Sequence, residues 1–355
     1  MTLAPRRKLQ GRREAAYKVC VTLLTDVMTH SRLLARATFD APTLARRHPP
    51  RFEDRNKKLI HAIACPNGST PRGTLEVSRW SAESLPTFVP IHEVTCEARA
   101  GFFDYLSPAP GSVAWHLNFA DADLFYGYSG GLFAQDELQV AEHPILASVR
   151  ESLRAEPIPN FPPLTTEDQR ATPVLVVGAE RSCAIVTRRA GRSIYGNAMH
   201  RAEADTVREL VTRLDPPTFT NVLAIEALPG GSGRYGPDEI SRVMMTATAG
   251  FSAAREESQR LAGPTARVAV HTGHWGCGAY GGNKRLMALV QLVSARLAGL
   301  DQLVFHADDD AGRAAFQDAR KHLEELAPVG TQPLVAQVLR QIDDLGFQWG
   351  RSDGN

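Results

Sequence analysis

The sequence predicts an α/β protein in which helices cover both faces of a sheet. Between residues 110 and 310, segments with the character of strands alternate with segments whose apolar residues recur at helical spacing. Two strand-to-helix junctions, at residues 118–137 and 272–284, are rich in glycine. Because ligands of open α/β sheets bind outside the carboxyl ends of the strands, both junctions are predicted to serve one ligand site.

Composition narrows the class of protein. The chain has 355 residues, more than one typical domain, with 43% apolar and 22% charged residues, as in ordinary globular proteins. A formal net charge of +1 gives no overall reason to expect a polyanion-binding surface, and no apolar run approaches the ~18 residues of a membrane span. The five cysteines are at least 31 positions apart, which excludes C-x-x-C zinc spacing and favours reduced thiols in the cytoplasm.

The first 110 residues carry few motifs. Apolar residues between Arg13 and Ala37 recur at helical spacing, and residues 58–64 favour a short helix within a proline-rich connection. The basic residues 1–14 fit either a solvated helix start or a tail that faces nucleic acid. His92, Glu93 and Cys96 have no second ligand pair at a useful spacing, so no metal site is predicted there.

The elements after residue 110 follow from periodicity and turn signals. The sequence predicts a strand at 114–119, a helix over 138–154 that kinks or restarts at Pro144, a hairpin of strands 174–177 and 183–186, and a helix over 203–214. A strand at 221–225 precedes a helix that starts at Pro237 and runs to about Arg260. Strand 267–271, amphipathic helix 284–297, strand 302–306 and one or two surface helices within 312–347 complete the chain.

The first junction reads NFADADLFYGYSGGLFAQDELQVAEHP, from Asn118 to Pro144. Glycines after a strand let backbone N–H groups face outward and bind anionic groups such as phosphates. Asp136 and Glu137 stand where the helix begins, so they can give or accept a proton beside that anion. The same pattern also fits a plain turn followed by acids that the helix dipole favours.

The second junction, HTGHWGCGAYGGNKRLMAL from His271 to Leu289, repeats the order strand, glycine loop, helix. Together the two junctions resemble the poly(ADP-ribose) glycohydrolase family, which carries D-F-A-N, a glycine triplet and Q-E-E, and later T-G-N-W-G-C-G-A-F-G-G-D. Residues 272–283 match the later motif with three substitutions, and Asn118-Phe119-Ala120-Asp121 stands for D-F-A-N at the right spacing before Gln135. The resemblance covers roughly residues 110–310.

The resemblance implies a macrodomain-like mixed sheet between helices, with ADP-ribose bound at the strand ends. It implies a catalytic domain over residues 111–355 and a mostly helical accessory region over residues 1–110. Cleavage of a ribosyl bond has an oxocarbenium-like transition state, and a carboxyl kept protonated by burial can supply the proton. By position, Glu137 is the catalytic carboxylate and Asp136 helps to bind ribose hydroxyls. No metal and no cofactor are expected.

Further site residues are carried over by position. Tyr195, in Ile194-Tyr195-Gly196-Asn197, resembles more loosely a G-Y segment whose aromatic ring contacts the ligand. The expected substrate-binding residues are Asn118, Asp121, Gly127, Gly130, Gly131, Gln135, Tyr195, Gly276, Cys277, Gly278, Ala279 and Tyr280.

The chain departs from the family at the glycine triplet. Ungapped alignment puts Phe125-Tyr126-Gly127 there, and a tyrosine does not allow the same close backbone approach to a diphosphate. Gly130 and Gly131 can substitute if the loop is re-registered. Asp136 is one methylene shorter than the family's glutamate, which withdraws its carboxylate by roughly 1 Å.

Three functions remain open at this point. The first is an ADP-ribosyl glycohydrolase acting on poly- or mono-ADP-ribose attached to protein or nucleic acid. The second is a binding module that holds ADP-ribose without cleaving it. The third is a shared fold with a different ligand. The sequence makes no prediction of oligomeric state.

Overall fold

The computed structural model describes residues 30–354. The strands are β1 (Ser31–Asp40), β2 (Thr74–Ala82), β3 (Thr95–Ala100), β4 (Ser112–Ala120), β5 (Thr166–Glu167), β6 (Arg170–Ala171), β7 (Val174–Ile185), β8 (Arg188–Arg189), β9 (Arg192–Ser193), β10 (Val211–Glu226), β11 (Arg267–Thr272) and β12 (Gln302–Ala307). The α-helices are α1 (Ala41–Arg47), α2 (Arg55–Ala64), α3 (Gln135–Glu142), α4 (Ile145–Ala155), α5 (Asn197–His200), α6 (Ala204–Leu210), α7 (Pro237–Ala262), α8 (Lys284–Ala298), α9 (Asp310–Leu326) and α10 (Val335–Asp344).

Eight of these strands form one mixed sheet in the order β1-β2-β7-β10-β4-β11-β12-β3. The strands β10, β4, β11, β12 and β3 pair with one another in parallel, whereas the pairs β1–β2, β2–β7 and β7–β10 are antiparallel. The carboxyl ends of the five parallel strands therefore meet at one edge, where ligands of such sheets bind. The predicted mixed α/β architecture is confirmed.

Alternate residues of the central strands face two different hydrophobic cores. On β10, Leu223 and Ile225 pack into a core completed by α7, α8, α9 and α10. Val222 and Ala224 point the other way, into a core that includes residues of α1, α3 and α4. The sheet thus lies between helices, as the alternation of elements predicts.

The expectation for the first 110 residues is wrong in the described part. Residues 31–37, predicted as helix, belong to β1, where Ala35, Ala37 and Phe39 are buried at every second position. Three strands from this region, β1, β2 and β3, are hydrogen-bonded into the same sheet as the later strands. Residues 30–110 are therefore not mostly helical, because they contribute three strands to the large sheet. The predicted basic tail lies outside the described residues.

Two further predictions are corrected by long-range pairing. Residues 174–177 and 183–186 are not a hairpin, because residues 174–185 form the single strand β7. The helix predicted to reach residue 214 ends at Leu210, and the chain continues as β10 with Val211 opposite Ile185. Pairing along β7 outweighs the helical pattern here, because strand formation depends on cross-strand neighbours more than on local propensity.

The remaining elements agree with their predictions within a few residues. Pro144 separates α3 from α4, as a proline inside a helical pattern should. Pro237 begins α7, and Asn283 caps α8 by accepting from the backbone N–H groups of Arg285 and Leu286. Among residues 30–354, no helix is long and apolar enough to cross a membrane.

Candidate active site

A cleft of about 410 Å³ opens at the carboxyl-end edge of the sheet, and both glycine junctions line it. The predicted site residues that line it are Asp121, Gly127, Gln135, Asp136, Glu137, Tyr195, Gly276, Cys277, Gly278, Ala279 and Tyr280. Three predicted residues do not line it. Asn118 lies buried behind Asp136, Gly130 lines a separate cavity, and Gly131 packs against the ring of His200.

Polar side chains form hydrogen bonds between helix α3 and the end of β4. The Gln135 amide accepts from the backbone N–H of Phe119 (2.8 Å) and donates to the carbonyl of Leu117 (3.0 Å). Asn118 donates to Asp136 Oδ1 and to Gln139 Oε1, both at 2.9 Å. Because Gln135 and Asn118 both bridge α3 and β4, they fix the acids at the helix start relative to the strand end.

Glu137 lies against the first glycine loop. Its side chain is 6% exposed, and Oε2 has no hydrogen-bond partner among the described residues. A Cβ atom on Gly127 would clash with Glu137 Oε1, so only glycine at that position leaves room for the carboxylate. Glu137 thus lines the cleft, and its buried Oε2 has no hydrogen-bond partner among the described residues.

Burial raises the pKa of both acids, because a charged carboxylate loses its hydration inside the protein. The charge of Glu137 raises the pKa of Asp136 further. Lys57, on α2, opposes this effect on both groups. Its Nζ donates to the carbonyl of Gly127 (2.6 Å), and burial lowers its own pKa to about 8. Lys57 was not predicted, since nothing near residues 58–64 in the sequence indicates a site.

The replaced glycine triplet takes an unexpected form. Phe125 adopts a left-handed backbone conformation (φ 56°) with its ring fully buried in the core beside α4. Tyr126 lines the cleft with 59% of its side chain exposed. Phe125 thus keeps the left-handed backbone conformation that glycine adopts most easily. Tyr126 places a large side chain at the rim of the cleft, and Gly127 keeps its contact with Glu137.

The second glycine loop folds back on itself. The backbone N–H of Gly282 donates to the carbonyl of Gly276 (2.8 Å), and Gly276 has a left-handed φ of 71°. Trp275 is fully buried beneath the loop and donates to the carbonyl of Ile225 (3.1 Å). The hydroxyl of Tyr280 donates to Asp121 Oδ2 (3.0 Å), which joins the two junctions. Burial raises the pKa of Cys277, which keeps its thiol protonated and unsuited to nucleophilic attack.

Two segments that line the cleft were not predicted from the sequence. Phe102 and Phe103, from the loop after β3, line the cleft, and the Phe102 ring lies 5.5 Å from that of Tyr195. Asp353 lines it from residues 349–354, which run over the second glycine loop. Neither segment carries a motif, so no sequence signal distinguishes it from other surface loops.

One family model matches part of the chain that forms this cleft. The model described as "Poly (ADP-ribose) glycohydrolase (PARG), Macro domain fold" matches residues 164–314, which include the second glycine loop. Over this range, which is less than half of the chain, the chain is similar to that family. The matched range begins after the first junction, so the individual roles of Asp136 and Glu137 rest on their geometry.

Solved structures of bacterial poly(ADP-ribose) glycohydrolases are similar to the chain. The Thermomonospora curvata protein is 17% identical with a TM-score of 0.42, covering 79% of this chain and 93% of its own. The same protein bound to the inhibitor ADP-HPD is 17% identical with a TM-score of 0.45, covering 74% and 97%. The Deinococcus radiodurans protein in complex with ADP-ribose is 16% identical with a TM-score of 0.36, covering 81% and 100%.

Proposed function

We propose that this chain is an ADP-ribosyl glycohydrolase, as its similarity to that family over residues 164–314 supports, and that Glu137 is its catalytic acid and base. The observation that carries the proposal is a buried carboxyl that lines the cleft at the start of α3 and has one oxygen without a hydrogen-bond partner among the described residues. Burial raises the pKa of Glu137, which favours the protonated form that a general acid needs. Such a carboxyl can donate its proton to the leaving oxygen as the bond to the anomeric carbon breaks.

The second half of the reaction needs a water molecule. The carboxylate left on Glu137 takes one proton from water as the water oxygen bonds to the anomeric carbon, which restores the acid and releases ADP-ribose. Asp136 is proposed to accept hydrogen bonds from the ribose hydroxyls beside it. The backbone N–H groups of the second glycine loop, Gly276 to Tyr280, are proposed to hold the diphosphate. Asp121, which bonds to Tyr280, is proposed to contact the adenosine part of the ligand.

The substrate is proposed to be an ADP-ribose group attached to a protein or a nucleic acid rather than the interior of a long polymer. The bulk of Tyr126 at the rim and residues 349–354 across the second loop support this, because both narrow the cleft. We also propose a cytoplasmic location, since the four described cysteines form no disulfide.

The test is Glu137→Gln, which keeps shape and removes the titrating carboxyl. We expect release of ADP-ribose from a panel of mono- and poly-ADP-ribosylated substrates to fall by about 10²–10⁴-fold, the usual contribution of acid–base catalysis. ADP-ribose binding, measured by calorimetry, should survive. The matched control is Glu324→Gln on the exposed face of α9. Hydrolysis by Glu137→Gln at the control rate would refute the assignment.

The second candidate function is an ADP-ribose-binding module without turnover. Phe125 and Tyr126 in place of two glycines favour it, since they alter the first loop where a diphosphate approaches. The same substrate panel separates the two. Micromolar binding of ADP-ribose by the wild-type chain, with no release from any substrate, would support the module.

A further inference from the structure

Three histidines form a row across adjacent parallel strands near the cleft. His116 on β4 is directly opposite His271 on β11, and their rings stack with centroids 4.5 Å apart. His306 follows on β12, with its Nε2 atom 3.1 Å from His271 Nδ1. All three rings are buried, and His306 also lines the cleft.

The hydrogen bonding of His306 determines which of its nitrogens has a lone pair. Its Nδ1 lies 3.0 Å from the carbonyl of Phe102, which can only accept, so Nδ1 carries the proton. Nε2 of the neutral ring therefore directs a lone pair toward His271. A backbone carbonyl that holds one imidazole nitrogen in this way is the usual partner of a metal-ligating histidine.

A carboxylate completes the group. Asp104, in the loop after β3, has a carboxylate oxygen within 4.8 Å of the ring nitrogens of His271 and His306. Its side chain is 31% exposed, which gives an ion a route from solvent, and Arg99 donates to Oδ2 (2.8 Å) and orients the group.

We propose that Asp104, His271 and His306 bind one divalent transition-metal ion, with Zn²⁺ as the best fit. Two imidazoles and a carboxylate with water in a fourth position suit Zn²⁺, whereas Mg²⁺ and Ca²⁺ favour oxygen ligands alone. The ion would tie the loop that carries Phe102 and Phe103 to the strand ends and so hold one wall of the cleft. The site is separate from the acid–base chemistry assigned to Glu137 and does not depend on it.

The experiment is calorimetric titration of the full chain, freed of metal by chelator and dialysis, with ZnCl₂. We expect one ion per chain. Asp104→Asn should weaken binding at least about tenfold, and His271→Ala and His306→Ala should weaken it further. Asp205→Asn is the matched control, because Asp205 also accepts from an arginine, Arg208, at 2.8 Å and lies on α6. Asp104 is on the surface, so its variant keeps the test valid even if a histidine variant fails to fold.

Substitution with Co²⁺ identifies the ligand type. Imidazole and carboxylate ligation gives visible d–d absorption without the near-ultraviolet charge-transfer band of a thiolate such as that of Cys277. Absence of stoichiometric binding would overturn the proposal. So would binding that is equal in the wild type, Asp104→Asn and Asp205→Asn, or a thiolate charge-transfer band with bound Co²⁺. Each of those outcomes would mean either that His271 and His306 only share a hydrogen bond, or that the ion binds at a different site.

Discussion

At the scale of single residues, Gly127 and Glu137 occupy adjoining space. Any Cβ atom at position 127 would displace the Glu137 carboxylate, whereas a Cβ atom on Gly130 would meet no atom within 4 Å. Gly127→Ala should therefore lower turnover by about 10²-fold, the usual effect of an ångström-scale misplacement. Gly130→Ala should leave turnover within about twofold of the wild type. Steady-state kinetics on one ADP-ribosylated substrate checks both, and equal effects would contradict the contact.

The ionisation of Asp136 makes the free energy of unfolding depend on pH. Its raised pKa means that the folded state binds the proton more tightly than the unfolded state, so this stabilisation is present below about pH 4 and is lost as pH rises through the folded pKa. Asp136→Asn cannot ionise and can still accept from Asn118. We expect the free energy of unfolding of this variant to exceed that of the wild type by about 1–3 kcal/mol at pH 8, and the difference to be smaller at pH 5. Urea unfolding at both values checks this, and a pH-independent difference would argue against it.

At the scale of elements, residues 349–354 belong to the site although they lie far from it in sequence. Trp349 stacks on Tyr235 at 4.2 Å, and the backbone N–H of Asp353 donates to the carbonyl of Gly278 at 3.3 Å. The Asp353 carboxylate lies 3.1 Å from the position that a Cβ atom would take on Gly278. A negative charge thus stands at the loop proposed to hold the diphosphate.

Removing that charge should strengthen ligand binding. Asp353→Asn is expected to lower the Kd for ADP-ribose about two- to fivefold, the range for one partly exposed charge, with the gain shrinking at high salt. Asp344→Asn, on the exposed end of α10, is the control. Calorimetry at low and high ionic strength measures both. A weaker Kd for Asp353→Asn would instead assign the carboxylate to ligand binding.

At the scale of the whole molecule, His143 connects α3 to the sheet. Its Nε2 lies 2.7 Å from Thr220 Oγ1 on β10, and its Nδ1 lies 2.7 Å from the carbonyl of Gln139. The Tyr105 ring lies 5.3 Å from the His143 ring, and Arg181 stacks on the Tyr105 ring. Burial lowers its pKa to about 3, with a smaller contribution from the charge of Arg181. The unfolded state therefore binds the proton more tightly.

The stabilisation from His143 is present above pH 6.5 and is lost as pH falls from 6.5 toward 3. His143→Gln should reduce the fall of the unfolding free energy between pH 6.5 and 5, by up to about 1.4 kcal/mol per pH unit. Chemical denaturation at pH 7, 6 and 5 in the presence of a chelator checks the slope. A slope identical to that of the wild type would show that His143 is not the group involved.

The sequence by itself determined the local features: the α/β class, the helices that begin at Pro237 and Lys284, the two glycine junctions, and the acids at the end of the first one. Each rests on a signal within a few residues, such as periodicity, a cap or a motif. Only the tertiary structure decided that β1, β2 and β3 join the central sheet. Strand pairing depends on the neighbouring strands, which can lie far away in the sequence, and local propensity does not indicate which strands pair. It also decided that Lys57, Phe102 and Asp353 line or support the cleft, since the order of the strands and the burial of side chains bring together residues hundreds of positions apart.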